Sequence, residues 1–235
     1  MPDISYPAGE HTWPGYLAVP PATPGPWPAV VVIHEAFGLN DDIRRKADEF
    51  ASHGYLALAP DLFDGKSWLR CIRGIFSQLR AGRGPAFVAL DGARQFLADR
   101  PDCTGKVGVV GFCLGGGFAL LCAPRPGYGA AAVNYGEVPE DAESVLAGAC
   151  PVVGSFGGRD PMGTQHPERL QRALVVLEIP HDVHVYPGSG HRFMSQPSSG
   201  TGAVLAKVSR MTYQREDAAD AWRRIFEFFG RYLAG

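Results

Sequence analysis

The sequence predicts an α/β fold: one mostly parallel central sheet with helices on both faces. Three observations predict it. Short runs of Val, Ile and Ala, such as 29–33 (AVVVI) and the stretch around 106–110 (KVGVV), lack the polar alternation of a half-exposed strand and read as strands buried on both faces. Longer segments with helical spacing lie between these runs, several bounded by Pro or Gly. Reactive side chains follow directly on the runs, where parallel sheets bind their ligands.

Taken in order, residues 4–28 are rich in Pro and Gly with scattered aromatics, which predicts short antiparallel edge strands joined by turns. Strand 29–33 is followed by a helix over 41–53 that stops at Gly54, and strand 55–59 ends in Pro60-Asp61. From Gly65 to Leu90 there is no acid, while Lys66, Arg70, Arg73, Arg80 and Arg83 are basic. On a helix, Trp68, Ile72, Phe76 and Leu79 share one face and Arg70, Arg73, Ser77 and Arg80 the other. That second face reads either as the solvated side of a packed helix or as a cationic rim drawing in carboxylated substrates. A helix over 85–99 opens at Pro85, strand 106–110 leads into a helix over 114–123 closed by Pro124, and strands follow at 131–135, 152–156 and 182–186. A helix over about 166–178 separates the last two strands, and the tail 214–233 carries Trp222, Ile225, Phe226 and Phe229 at helical spacing. No linker or repeat divides the chain, so 1–235 reads as one domain.

Composition narrows the function. With 22 Lys and Arg against 24 Asp and Glu, a net charge of −2 offers no electrostatic case for nucleic acid. The start MPDISYPAGE has neither a basic nor an apolar stretch, so no signal peptide is predicted, and no apolar run is long enough to span a bilayer. Five cysteines without CxxC or Cys/His metal spacing fit a reducing cytoplasm, most of them as small core residues. Monomer and dimer are both compatible with the sequence.

Residues 111–117 (GFCLGGG) have the pattern of a nucleophile elbow, the sharp strand-to-helix turn that exposes one side chain above a parallel sheet. Its occupant is Cys113. Alone, Cys113 would read as a core thiol beside a glycine contact, since cysteine is among the most buried residue types. Asp160, however, follows strand 152–156 and His191 follows strand 182–186, which gives the chain order nucleophile, acid, histidine of the α/β-hydrolase arrangement. Asp182 is the rival acid, but it starts a strand rather than following one. The helix from Leu114 would turn its positive end toward the sulfur. His34-Glu35-Ala36-Phe37-Gly38 begins like HExxH, but Gly38 breaks the pattern and the segment leaves a strand, so no zinc site is read there. It is instead the loop expected to supply an oxyanion-hole amide, from Ala36, with the second from Leu114. Glu35 is then expected at the mouth of the site, where its charge opposes the helix dipole at the thiol. His181 and His184 are three apart on a strand, point to opposite faces and read as surface histidines.

GFCLGGG, HEAFG, GGRD and GSGHRF, spaced as here, resemble the dienelactone hydrolase family of α/β-hydrolases, and the resemblance runs from about residue 15 to the C-terminal helix. It implies a Cys113, Asp160 and His191 triad, with Glu35 holding the resting thiol neutral until substrate binds. It also implies hydrolysis of small esters or lactones without metal or organic cofactor. The family's well-known members use arginines to hold a substrate carboxylate, one of them shortly after the histidine; here Arg192 is immediately adjacent to it. Phe37, Arg70, Arg73 and Arg192 are thus the candidate substrate-binding residues, and the expected partner is a small, in part anionic, ester or lactone. The alternative is a non-catalytic thiol sensor or electrophile-binding protein on the same fold, which would need a reactive Cys113 but not the full triad.

Overall fold

A computed structural model describes residues 3–22, 24–196 and 213–233. Eight strands form one sheet in the order β1-β2-β4-β3-β5-β6-β7-β8: β1 (Asp3–Ala8), β2 (His11–Ala18), β3 (Trp27–Ile33), β4 (Leu56–Pro60), β5 (Cys103–Phe112), β6 (Tyr128–Asn134), β7 (Val152–Gly157) and β8 (His181–Tyr186). The Pro/Gly-rich opening makes the antiparallel pairs β1·β2 and β2·β4, as its composition predicts, and the pairs from β4 through β8 are parallel. Parallel neighbours need crossovers that carry helices to the faces, which is why β3, β4, β6 and β7 are largely apolar and buried.

Two layers cover the sheet. On one face α3 (Pro85–Ala98), α4 (Leu114–Cys122) and α6 (His166–Val176) bury Phe87, Leu90, Phe118 and Leu170 against Val31, Val109 and Val133. On the other, α1 (Asp41–Ser52) and α7 (Arg215–Tyr232) bury Phe50, Ile43, Ile225 and Phe229 against Val30, Val32 and Val110. Asn40 caps α1, its side chain accepting from the amides of Asp42 and Ile43. A short α5 (Ala142–Val145) precedes β7.

The basic segment is α2 (Trp68–Ala81). Ile75 and Leu79 are buried on its inner side with Ile72 and Phe76 partly so, while Arg70, Arg73 and Arg80 are exposed. The face is as predicted apart from Ile75, which joins it; the side chain of Trp68 lies outside the described residues. No helix among the described residues is long and apolar enough to cross a membrane.

Candidate active site

Cys113 is the junction residue between β5 and α4, with φ 55° and ψ −118°. A non-glycine residue rarely adopts that backbone, and the surrounding contacts are what hold it there. Its amide donates to the Asn134 carbonyl at 3.0 Å, and its own carbonyl accepts from the amides of Gly116 and Gly117 at 2.9 and 3.3 Å. The flanking glycines are required by space. A Cβ on Gly111 would lie 1.8 Å from the Gly115 carbonyl oxygen, and one on Gly115 would lie 2.4 Å from that of Ile33. The first turn of α4 is thus pressed against the end of β3, where the loop carrying Glu35 and Ala36 begins.

His191 and Asp160 come to this corner from the loops after β8 and β7. His191 Nε2 is 3.0 Å from Cys113 Sγ, and His191 Nδ1 is 2.7 Å from Asp160 Oδ2. The second Asp160 oxygen accepts from the Met162 amide at 2.8 Å, which fixes the carboxylate plane. The two loops are tied to each other, Arg159 N donating to the Ser189 carbonyl at 2.8 Å, and Ser189 Oγ anchors the histidine loop to Asp217 of α7 at 2.6 Å. Burial disfavours a charged imidazole, but the hydrogen bonds to Asp160 and Cys113 and the charges of both outweigh it, and His191 is pushed up to about 10. The rival acid Asp182 bonds Arg224 instead.

Glu35 departs from expectation. It is not at the mouth but 1% exposed, and among the described residues no hydrogen bond joins it to Cys113. Arg192 Nε donates to its Oε2 at 2.7 Å, the Ser195 hydroxyl donates to its Oε1, the Tyr135 hydroxyl donates to Oε1 at 3.4 Å, and Lys46 Nζ stands 3.8 Å away. The physical reason is charge: the cations Arg192 and Lys46 lie on this side of the loop and draw the carboxylate to them. Burial alone would raise the Glu35 carboxyl, but Lys46 first and then Arg192 overcome it and hold it below the usual carboxylate range. Tyr135 stays a phenol, held so by burial and by the Glu35 charge.

The remaining candidates fall around this core. Leu114 is buried at the head of α4, and Ala36 packs partly buried on the core. His34, neutral because it is buried, braces the same loop: its Nδ1–H donates to the Glu35 carbonyl at 2.6 Å and its Nε2 accepts from the Leu62 amide at 3.1 Å. The Phe37 ring is 54% exposed with the Arg192 guanidinium 4.9 Å from its centroid. Arg70 and Arg73 lie on the exposed side of α2. His181 and His184 are half-buried rather than on the surface: His181 bonds the Ile179 carbonyl and Gln171, and His184 packs against the Tyr186 ring. Gln171 belongs to α6, so a helix side chain lies against His181 on the edge strand β8.

Sequence reading missed Lys46, Tyr135 and Ser195. A lysine four residues after Asp42 on an amphipathic helix signals a surface pair, and only the fold shows that pair to be buried.

The Dienelactone hydrolase family model matches residues 13–233. A protein of Yersinia pestis named "Putative carboxymethylenebutenolidase" is 29% identical over 98% of this chain and 88% of its own length. One of the same name from Escherichia coli (strain K12) is 27% identical, over 97% of this chain and 86% of its own. Among solved structures, the dienelactone hydrolase from Anabaena variabilis superposes with a TM-score of 0.69 at 23% identity, covering 98% of this chain and 97% of that one. The dienelactone hydrolase-like promiscuous phosphotriesterase P91 from metagenomic libraries does so at 0.82 and 22%, covering 99% and 98%. These two likenesses speak for the fold, and the family model speaks for descent. With an eight-stranded, mostly parallel sheet and a family match along nearly its whole length, the chain belongs to the dienelactone hydrolase family of α/β-hydrolases and is a hydrolase of that kind.

Proposed function

We propose that this hydrolase cleaves small carboxylic esters and lactones with Cys113 as nucleophile, His191 as base and acid, and Asp160 as the group that orients His191. The observation that carries the reading is the pair of contacts at His191, 3.0 Å to Sγ and 2.7 Å to Asp160 Oδ2, at a cysteine held in strained backbone above the sheet. The sulfur attacks the carbonyl carbon, and His191 holds the proton that leaves it. The oxygen becomes an anion received by the amides of Ala36 and Leu114, each such donor contributing about 3–4 kcal/mol to the transition state. Collapse breaks the C–O bond, and His191 protonates the leaving alcohol. Water then gives a proton to His191 and adds to the thioester, releasing the acid and returning the thiol. In a lactone the alcohol stays tethered, and the product is one open-chain hydroxy- or keto-acid. Thiol, imidazole and water balance every step, so no metal or organic cofactor is called on. Asp160 keeps the imidazole in one tautomer and steadies its positive charge.

Arg70 and Arg73, with Arg192 and Phe37, make up the substrate rim in this reading and favour an anionic ester. The test is a panel of lactones and p-nitrophenyl esters, neutral and anionic. Wild type hydrolyses members of the panel, and Arg70→Ala with Arg73→Ala lowers kcat/KM for the anionic ones alone. Equal kcat/KM for anionic esters in wild type and variant would remove the rim from the account.

A further inference from the structure

Lys46 is a buried charge that the reaction above does not use. It sits on α1, the helix after the Glu35 loop, with only 4% of its surface exposed. Its Nζ donates to Asp42 Oδ2 at 2.7 Å and to Ser195 Oγ at 2.9 Å, stands 3.8 Å from Glu35 Oε1, and lies 4.2 Å from the centroid of the Phe112 ring. Beyond Asp42 on its own helix, these contacts fall on three separate segments. Phe112 immediately precedes the nucleophile, Ser195 follows His191 by one helical turn's length of chain, and Glu35 begins the loop that carries Ala36. Tyr135 links a fourth, its hydroxyl 3.0 Å from Ser195 Oγ and its ring 5.2 Å from that of His191.

An ammonium is costly to bury, and an apolar side chain of the same length would fill this space without that cost. We infer that Lys46 is a positioning residue of the thiol site: paired with Asp42, it holds the Glu35 carboxylate as an anion and ties the nucleophile, histidine and oxyanion-loop segments into one fixed arrangement. It divides the work with Arg192. Arg192, with 19% of its side chain exposed, contacts Oε2 of Glu35, whereas Lys46, with 5% exposed, stands near Oε1. The proposal rests on the thiol-hydrolase reading for its kinetic consequence.

The charged and titratable groups facing this point are Glu35, Asp42, Arg192 and Tyr135, with Arg45 on Asp42, His34 beside Glu35 and His191 against Tyr135. Removing the ammonium takes away one of the two cations beside Glu35, so its carboxyl moves up and protonates at higher pH. Lys46→Met is therefore tested on a p-nitrophenyl ester across pH, beside thermal unfolding. The expected result is kcat lowered about tenfold with KM nearly unchanged, an acid limb displaced to higher pH, and a much smaller loss when Lys46→Met is added to Glu35→Gln. A folded Lys46→Met with wild-type kcat and pH profile overturns the proposal. So does an equal fold loss in both backgrounds. If Lys46→Met does not fold, Asp42→Asn with Lys46→Met removes both charges of the buried pair and is held to the same outcomes. If the wild type hydrolyses no ester, the thiol-hydrolase reading fails, and the Glu35 carboxyl followed by 13C NMR decides the role of Lys46 by itself: an upward move in Lys46→Met supports it, and no move overturns it.

Discussion

Arg192, the residue after the histidine, turns back across the site and places its Nε 2.7 Å from Glu35 Oε2. The contact joins the loop after β8, which carries His191, to the loop after β3, which carries Glu35 and Ala36. It also requires an unusual backbone, since Arg192 has φ 63°, a region that non-glycine residues enter at a cost of about 1–3 kcal/mol. A buried carboxylate with its bonds supplied by a guanidinium offsets that cost. The same contact explains why Glu35 is found below the site and not at its mouth.

Tight packing at the elbow makes Gly115→Ala a severe change. The new Cβ would meet the backbone oxygens of Ile33 and His34 at 2.4 and 2.6 Å, and neither can rotate away. Urea unfolding of Gly115→Ala is expected to show a loss of about 3 kcal/mol, with α4 displaced and hydrolysis lost. Wild-type stability would mean that the elbow is looser than described.

The elevated His191 makes stability depend on pH with a definite sign. A group raised in the folded state adds stability that is complete below its unfolded value of about 6.5 and is lost as pH climbs through its folded value of about 10. Asp160→Asn removes much of that rise. The stability gap between wild type and Asp160→Asn, read from urea unfolding at several pH values, should therefore narrow between these limits. A gap that widens with pH would contradict the ion pair.

The five thiols are not equivalent. Burial pushes Cys122 and Cys150 up to about 12 and raises Cys103, while Cys71 donates to the Phe63 carbonyl at 3.7 Å. Among the described residues Cys113 alone has an imidazole at 3.0 Å. Limited iodoacetamide treatment followed by peptide mass spectrometry should find Cys113 modified first, and His191→Ala should slow that modification. Earlier modification of Cys71 or Cys103 would count against the assignment.

What could be read from sequence follows from what burial does to composition. Strands covered on both faces are largely apolar, so β3, β6 and β7 were visible as Val and Ala runs, and the segments after β5, β7 and β8 display Cys113, Asp160 and His191 in order. The start of β5 was not visible: residues 103–105 are partly or fully exposed, and pairing of Cys103 with Trp27, not hydrophobicity, extends the strand. The cluster around Glu35 was hidden for a different reason. Lys46 and Ser195 are 149 residues apart, and each taken alone is an ordinary polar residue beside a helix or loop. Only the assembled fold brings them to one carboxylate, and that partner set decides where Glu35 points.

In the proposed mechanism Cys113 carries the acyl group. Wild type and Cys113→Ala should be mixed with a p-nitrophenyl ester, release of nitrophenol followed, and the acid-quenched proteins weighed by mass spectrometry. Hydrolysis and an acyl adduct mapped to Cys113 are expected in the wild type, and neither in Cys113→Ala, which should remain folded because the thiol is only partly buried. Hydrolysis by Cys113→Ala at a rate near that of wild type would contradict it.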